Sequence, residues 1–343
     1  MTDLDKIFAP EVIDRFEPPV SADKLTHTYN DVRLDSKGQP YDFPRITSLL
    51  GGLRSDVAAW YTKESGNEFN TFKLGEMINP VREKFWSDPR FAEAFTLLNL
   101  DYNDRQKATI PWWNEVAAGE LGYEHKGEGI HVNFAPRHSL ETQLMRAGIE
   151  RPVKNVSVGG LIFTAPENGA PDGYVVIGLR GGASYSNTWA INAGALKVSD
   201  EFKQGKTSIY DVFNAMELAP EFGLTPTDVT DSRLHHRYFC HVIDKGPAYV
   251  FAVKTPFTKQ QLHHKWEQNL DPDKAEHDAP VFIPANPDEV NVFIREHYRG
   301  TVANRDGRKD DERYLLHPSA LSLAAWSGMP LDELRSLYRE GNW

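Results

Sequence analysis

Two carboxylates, Glu217 and Glu221, stand four residues apart in the stretch MELAPEFGL. Residues at this spacing are neighbours on the surface of a helix, where two like charges repel each other. A divalent cation held between them would relieve the repulsion, and Mg²⁺ is a hard ion that prefers oxygen ligands. Water around a solvated acidic face would relieve it as well, and that is the commoner outcome for such a pair. The spacing therefore leaves both a magnesium site and an exposed acidic face open.

Both carboxylates are expected to lie on one helix, which we call the carboxylate helix and which begins after Ser208. Serine is a preferred N-cap residue, because its side chain accepts a hydrogen bond from the backbone of the first turn. The apolar side of this helix is predicted to consist of Ile209, Val212, Phe213, Met216 and Ala219. The opposite side is predicted to consist of Tyr210, Asn214, Glu217 and Glu221. Pro220 has no N–H to donate to the carbonyl of residue 216, so the helix is expected to kink or end there.

Segments before and after the carboxylate helix follow an order found in a known family. Upstream, the stretch WAINAG ends in Gly194, and the pair Gly223-Leu224 follows the second carboxylate. Two later segments are EHDAPVFIP, which begins at Glu276, and LLHPSAL, farther along the chain. In this order they resemble the Nudix hydrolases, whose box reads G-x5-E-x7-R-E-U-x-E-E-x-G-U, with U a bulky aliphatic residue. The resemblance covers residues 153–325.

The match to the box is partial. Glu217 corresponds to the glutamate after the box arginine, and Glu221 to the second of the paired glutamates. Met216 replaces the arginine, Pro220 replaces the first paired glutamate, and Asn192 replaces a proline that is usual upstream of the box. The loop before the helix is also eight residues longer than the motif expects. The retained glutamates favour a hydrolase, whereas the departures favour a module that binds a nucleotide-like ligand without turning it over, or a fold put to different chemistry.

A reaction and a metal follow from the resemblance. In the family, the box glutamates bind Mg²⁺ or Mn²⁺, and the ion neutralises a diphosphate and helps to activate the water that cleaves it. By position, the resemblance implies Glu217 and Glu221 as catalytic residues and metal ligands, with Glu276 as a third metal ligand. The reaction it implies is cleavage of a diphosphate bond in a nucleotide-related metabolite.

Three further residues are implied as ligand contacts. Arg180 would hold phosphate, Trp189 would stack on a base, and Gly194 would be the first glycine of the box. The alternatives are an exposed arginine and a core tryptophan, and the residues themselves do not decide between them.

Composition narrows the classes of partner. The 343 residues carry a formal net charge of −11, which argues against a broad nucleic-acid surface because such surfaces are basic. No apolar run approaches the roughly 20 residues needed to span a bilayer, and the acidic N-terminus lacks the pattern of a signal peptide.

Cys240 is the only cysteine, so an internal disulfide is excluded. No G-x4-G-K-[ST] stretch is present, which excludes a P-loop nucleotide hydrolase. We expect a cytoplasmic protein that acts on a small molecule rather than on nucleic acid or membrane.

Periodicity divides the chain near residue 150. Residues 1–150 are predicted to be mainly helical, with an apolar stripe at Phe91, Phe95 and Leu98. Residues 151–343 mix strands and helices and are predicted to form a Nudix-like domain with C-terminal helices. The expected fold class is α+β, a Nudix-like α-β-α sandwich with a helical N-terminal extension. The stripe is expected to pack on the strand-rich domain and narrow its pocket; a helical domain with its own core and a homodimer contact are the alternatives.

Overall fold

A computed structural model describes residues 3–35, 37–69, 75–101, 103, 115–146, 149, 151–180, 188–241, 246–269, 277–298 and 314–338. Over these residues the chain has an α+β fold with a nine-stranded sheet and a four-stranded sheet. The α+β class predicted from the sequence is confirmed. None of the helices in the described part of the chain is long and apolar enough to cross a lipid bilayer.

The strands pair mostly in antiparallel fashion. Their bounds are β1 (Ile13–Ser21), β2 (Leu25–Tyr29), β3 (Val116–Lys126), β4 (Gly129–His138), β5 (Lys154–Asn155), β6 (Ser157–Phe163), β7 (Tyr174–Arg180), β8 (Thr188–Ala190), β9 (Asn192–Ala195), β10 (Asp231–Cys240), β11 (Gly246–Lys254), β12 (His277–Pro284) and β13 (Tyr314–Leu315). The larger sheet has the order β1-β10-β11-β6-β7-β8-β13, with β9 paired to β6 and β12 paired to β7. The smaller sheet has the order β2-β4-β3-β5.

Helices cover both faces of the larger sheet. Their bounds are α1 (Asp3–Ile7), α2 (Phe43–Ser65), α3 (Ile78–Ser87), α4 (Pro89–Leu97), α5 (Ser139–Arg146), α6 (Asp200–Lys203), α7 (Ile209–Phe213), α8 (Ala219–Phe222), α9 (Lys259–Asn269), α10 (Pro287–His297), α11 (His317–Ser327) and α12 (Leu331–Leu337). A π-helical segment, Asn214–Leu218, joins α7 to α8. These three pieces are the carboxylate helix, residues 209–222.

The two faces of the larger sheet belong to different cores. Along β6, Leu161 and Phe163 contribute to a core with α10, α11 and α12. Val158 and Ile162 of the same strand contribute to a second core, which includes the carboxylate helix, α9 and the smaller sheet. This division follows from the strand geometry, because successive side chains point to opposite faces. The carboxylate helix and α10 therefore lie on opposite sides of the larger sheet.

A third core belongs to the helices α2 to α5. Phe91, Phe95 and Leu98 are fully buried in it, together with residues such as Ile46 and Phe85. The expectation that this stripe packs on the strand-rich region is therefore wrong, and the alternative of a helical core is the one observed. Trp112 and Trp113, which follow this stripe along the chain and which we expect near it, are outside the described residues.

Four strands that the sequence did not predict, β1 to β4, lie within the first 150 residues. In β1, Pro18 and Pro19 interrupt the alternation of apolar and polar residues that is typical of a strand. The register of β1 with β10 also shifts between Arg15 and Val20. Proline cannot donate to a strand ladder and is tolerated on edge strands. Since β1 ends the strand order of the larger sheet, its position explains how the prolines are accommodated.

A buried ion pair joins the two sheets. Glu120 of β3 accepts a hydrogen bond from Arg237 Nη2 of β10 at 2.6 Å and another from Tyr249 Oη of β11 at 2.5 Å. Arg237 also donates to Asp14 of β1 at 2.9 Å. The guanidinium and the Glu120 carboxylate thus satisfy each other inside the protein, as buried charges require.

Candidate functional site

The carboxylate helix begins where the sequence predicted. Ser208 Oγ accepts a hydrogen bond from the backbone N–H of Asp211 at 3.0 Å, and the Asp211 carboxylate accepts one from the backbone N–H of Ser208 at 2.8 Å. This reciprocal capping box satisfies two donors and fixes where the first turn starts. Phe213 then stacks on Phe251 of β11, with ring centroids 5.7 Å apart. The N-terminal half of the helix is thereby held against the larger sheet.

The helix does not end at Pro220, so the expected early end is wrong, and the alternative of a kink at this residue stays a prediction. Its irregularity lies one turn earlier, in the π-helical segment, where the backbone N–H of Ala219 bonds to the carbonyl of Asn214, five residues back. The chain continues through Pro220 to Phe222, and Gly223 closes the helix with a φ of 62°. The wider π turn accommodates Pro220, which has no backbone N–H to donate. Such turns occur often at functional sites.

The π segment also changes which side chains are buried. The inward apolar positions run Phe213, Leu218 and Phe222, spaced by five and then four residues. Glu217 is consequently only 8% exposed and Asn214 only 7%. The prediction that both lie on the solvent side of the helix is wrong, because it assumed uninterrupted α-helical spacing.

Glu217 lies directly against Gly194 of β9. A Cβ atom built on Gly194 would lie 2.1 Å from Glu217 Oε1, far inside any real contact distance. Residue 194 must therefore be glycine for the carboxylate to occupy this position. The structure thus brings together the two residues that the resemblance named as the first box glycine and a box glutamate.

Glu221 is held by the same strand. Asn192 Nδ2 donates a hydrogen bond to Glu221 Oε2 at 2.6 Å, and Asn192 is fully buried. Asn192 and Gly194 are two residues apart on β9, so they present the same face of the strand, about 7 Å apart. Both carboxylates of the helix therefore approach one face of β9.

Two buried amide oxygens accompany these carboxylates. Asn192 Oδ1 and Asn214 Oδ1 receive no hydrogen bond from any described residue. Buried polar atoms usually have a partner, so each of these two acceptors could still accept a ligand. Asn192 contacts Glu221 directly, and Asn214 lies on the helix that carries both carboxylates. Carboxylate and amide oxygens together are a donor set that suits a hard divalent cation such as Mg²⁺ or Mn²⁺.

The acidic residues alone do not complete a metal site. Within the described ranges, no group of three histidine, cysteine, aspartate or glutamate residues is arranged to hold a metal. Glu276, implied as the third ligand, lies outside the described residues. A cation here would need oxygen ligands beyond Glu217 and Glu221.

The other implied ligand contacts lie elsewhere on the larger sheet. Arg180 is the last residue of β7, where it pairs with Thr188 of β8, and it is half-buried. Trp189 is 8% exposed and makes edge contacts with Phe293 and His297 of α10. Trp189 thus packs on the face opposite the carboxylate helix, as a core tryptophan would. Contact of either residue with a ligand stays a prediction.

Sequence reasoning missed Asn192 and Asn214 as members of this site. Asn192 was interpreted only as the loss of a proline, and Asn214 only as part of a polar helix face. For Asn192 the available signal was an amide two residues before Gly194, at a position where the family usually has proline.

No known protein-family profile matches the chain, and no curated protein matches it in sequence. Among solved structures it is similar to a Nudix hydrolase from M. smegmatis, RenU, at 13% identity and a TM-score of 0.24, over 38% of this chain and 71% of that one. It is also similar to a bifunctional NMN adenylyltransferase/ADP ribose pyrophosphatase from Francisella tularensis, solved with AMP and a manganese ion. There the identity is 11% and the TM-score 0.29, over 81% of this chain and 67% of that one. A second structure of the Francisella protein has 12% identity and a TM-score of 0.24, over 66% and 59% of the two chains.

Proposed function

We propose that the protein is a hydrolase that uses Mg²⁺ or Mn²⁺ to cleave a diphosphate bond in a small nucleotide-related metabolite. One observation carries this proposal: Glu217 and Glu221 both approach one face of β9, at Gly194 and Asn192. Two carboxylates brought to one strand favour a bound cation over a solvated acidic face. The net charge of −11 makes a small ligand a better partner than a nucleic acid.

Glu217 and Glu221 are the residues that would hold the ion. When bound, the ion would offset the negative charge of a diphosphate and make a water molecule a better nucleophile. Glu217 is kept in place by its burial and by the absence of a side chain at Gly194. Asn192 orients Glu221, because its amide donates a hydrogen bond to one oxygen of that carboxylate.

Two further side chains enter the proposal through the resemblance. Arg180, at the end of β7, would contribute positive charge to the phosphates. Glu276 would approach as a third carboxylate. We place the reaction in the cytoplasm, where a single cysteine is compatible with a reducing compartment.

A thermal-shift screen tests this function. Nucleoside diphosphate compounds would be tested with and without Mg²⁺, because a ligand that binds only the folded state raises the melting temperature. Hits would then be followed for release of the two phosphate-containing products. We expect a hit that depends on Mg²⁺ and is hydrolysed by the wild type but not by Glu221→Gln. Hydrolysis that is equal in the two proteins would contradict the proposal.

A ligand-binding module without turnover is the second candidate. It is favoured by Pro220, which replaces a box glutamate and is exposed in the structure. It is favoured as well by the Asn192 amide, which already occupies one oxygen of Glu221. In the same screen, a thermal shift without any product would support this candidate over the hydrolase.

A further inference from the structure

We infer that the cation is bound by two amide oxygens, Asn192 Oδ1 and Asn214 Oδ1, in addition to Glu217 and Glu221. This inference rests on the proposed function, since it names further ligands of the same divalent ion. It assigns binding roles to two asparagines, one of which replaces the proline usual upstream of a Nudix box.

The orientation of the Asn192 amide is determined by its neighbour. Its Nδ2 donates to Glu221 Oε2 at 2.6 Å. Turning the amide over would place two oxygens against each other, because an ionised carboxylate can only accept hydrogen bonds. Asn192 Oδ1 therefore lies on the other side of the amide, where no described residue donates to it.

Asn214 and Glu217 belong to the same π-helical segment. The two residues are three positions apart within Asn214–Leu218. Both side chains are more than nine-tenths buried. Asn214 Oδ1 receives no hydrogen bond from a described residue, so the segment that carries Glu217 also carries a buried oxygen without a donor.

The chemistry of these four side chains suits a hard divalent cation. Each supplies oxygen, and amide oxygens add ligands without adding to the repulsion between the carboxylates. The two carboxylates match the charge of one divalent ion. Two neutral oxygens can then take coordination positions that the glutamate lost at Pro220 would otherwise fill.

Binding of Mn²⁺ to the full-length protein tests the inference. Its affinity would be measured by calorimetry, and the number of water molecules on the ion by electron paramagnetic resonance. For Asn214→Leu we expect the Kd for Mn²⁺ to rise by about tenfold or more, with one additional water on the ion. Without metal, its melting temperature should fall less than that of the control below, because the Asn214 oxygen has no donor to lose.

A matched control is Asn155→Leu. Asn155 is also buried, but its Oδ1 accepts a hydrogen bond from Arg137. We expect this variant to melt at a lower temperature and to bind Mn²⁺ with unchanged affinity. Asn214→Asp keeps an oxygen at the site and is expected to bind Mn²⁺ at least as tightly as the wild type, which provides a second test if the leucine variant does not fold.

The outcomes separate this inference from the proposed function. Suppose that Glu217→Gln loses Mn²⁺ binding while Asn214→Leu keeps its affinity for Mn²⁺ and the same number of water molecules on the ion. The assignment of amide oxygens as ligands is then wrong, and the assignment of the two carboxylates stands. Weaker Mn²⁺ binding by Asn214→Asp than by the wild type would also contradict the assignment of amide oxygens as ligands. If the wild type does not bind Mn²⁺, both proposals are wrong.

Discussion

Glu217 Oε1 occupies the space in which a side chain at Gly194 would begin, only 2.1 Å from the position of its Cβ. This contact links the carboxylate helix to β9 and makes glycine a requirement of the site. The neighbouring hydrogen bond from Asn192 to Glu221 brings the second carboxylate to the same strand.

A methyl group at this contact should displace the carboxylate. For Gly194→Ala we expect weaker Mn²⁺ binding, because Glu217 Oε1 must move away from the new methyl group. Since this oxygen is the end of a flexible side chain, the loss in the free energy of unfolding should be at most about 1–3 kcal/mol, the usual range for overpacking. Denaturant unfolding and calorimetry measure the two effects. Gly52→Ala is the control, since Gly52 lies within α2 and a Cβ there meets only Arg90 Nη1, at 3.5 Å. That variant should gain about 0.5–1 kcal/mol from the helical preference of alanine. Unchanged stability and Mn²⁺ affinity in Gly194→Ala would show that the contact is not needed.

The ion pair between the sheets should contribute strongly to stability. Glu120→Ala leaves Arg237 without its main partner and Tyr249 without an acceptor, so we expect a loss of about 3–5 kcal/mol. Glu124→Ala, on the same strand, removes an exposed pair with Lys126 and should cost less than about 1 kcal/mol. Urea unfolding of both variants checks this, and equal losses would contradict the role assigned to the buried pair.

Histidine burial should make the protein less stable in mild acid. Burial, with nearby His241, lowers the pKa of His317 from 6.5 to about 3. The unfolded chain therefore binds a proton that the folded chain does not between these pH values. The contribution of His317 is complete above pH 6.5 and is lost as the pH falls, by up to about 1.4 kcal/mol per pH unit.

Replacing this histidine should flatten the pH dependence. His317→Gln is expected to reduce the slope of unfolding free energy against pH between 6.5 and 4. The control His264→Gln changes a histidine on the exposed side of α9 and should leave the slope as it is. An unaltered slope in His317→Gln would show that another group controls the acid sensitivity.

Local signals in the sequence predicted the start of the carboxylate helix correctly but not its end. Ser208 caps the helix as expected, because capping depends on short-range backbone hydrogen bonding, whereas the helix ends at Gly223 and not at Pro220. The interior could not be predicted in the same way. A π turn inserts one residue between Phe213 and Leu218, and nothing in the helical periodicity indicates it. Glu217 was therefore predicted to be exposed although it is buried.

Longer-range features were also beyond local reasoning. The pairing of β1 with β10 joins residues more than 200 positions apart, and the prolines of β1 hide its strand character. The role of Asn192 beside Glu221 depends on how β9 packs under the helix, which no spacing along the chain reveals. The α+β class was predictable because it depends on the mixture of elements and not on their pairing.

A titration of the full-length protein with Mn²⁺, monitored by electron paramagnetic resonance, tests most directly whether Glu217 and Glu221 form a cation site. Glu217→Gln and Glu221→Gln would be compared with Glu289→Gln, which changes an exposed glutamate of α10 on the other side of the sheet. We predict that the wild type and Glu289→Gln bind Mn²⁺ equally, and that each site variant binds it at least about tenfold more weakly. Equal binding by all four proteins, or no binding by the wild type, would contradict the carboxylate site.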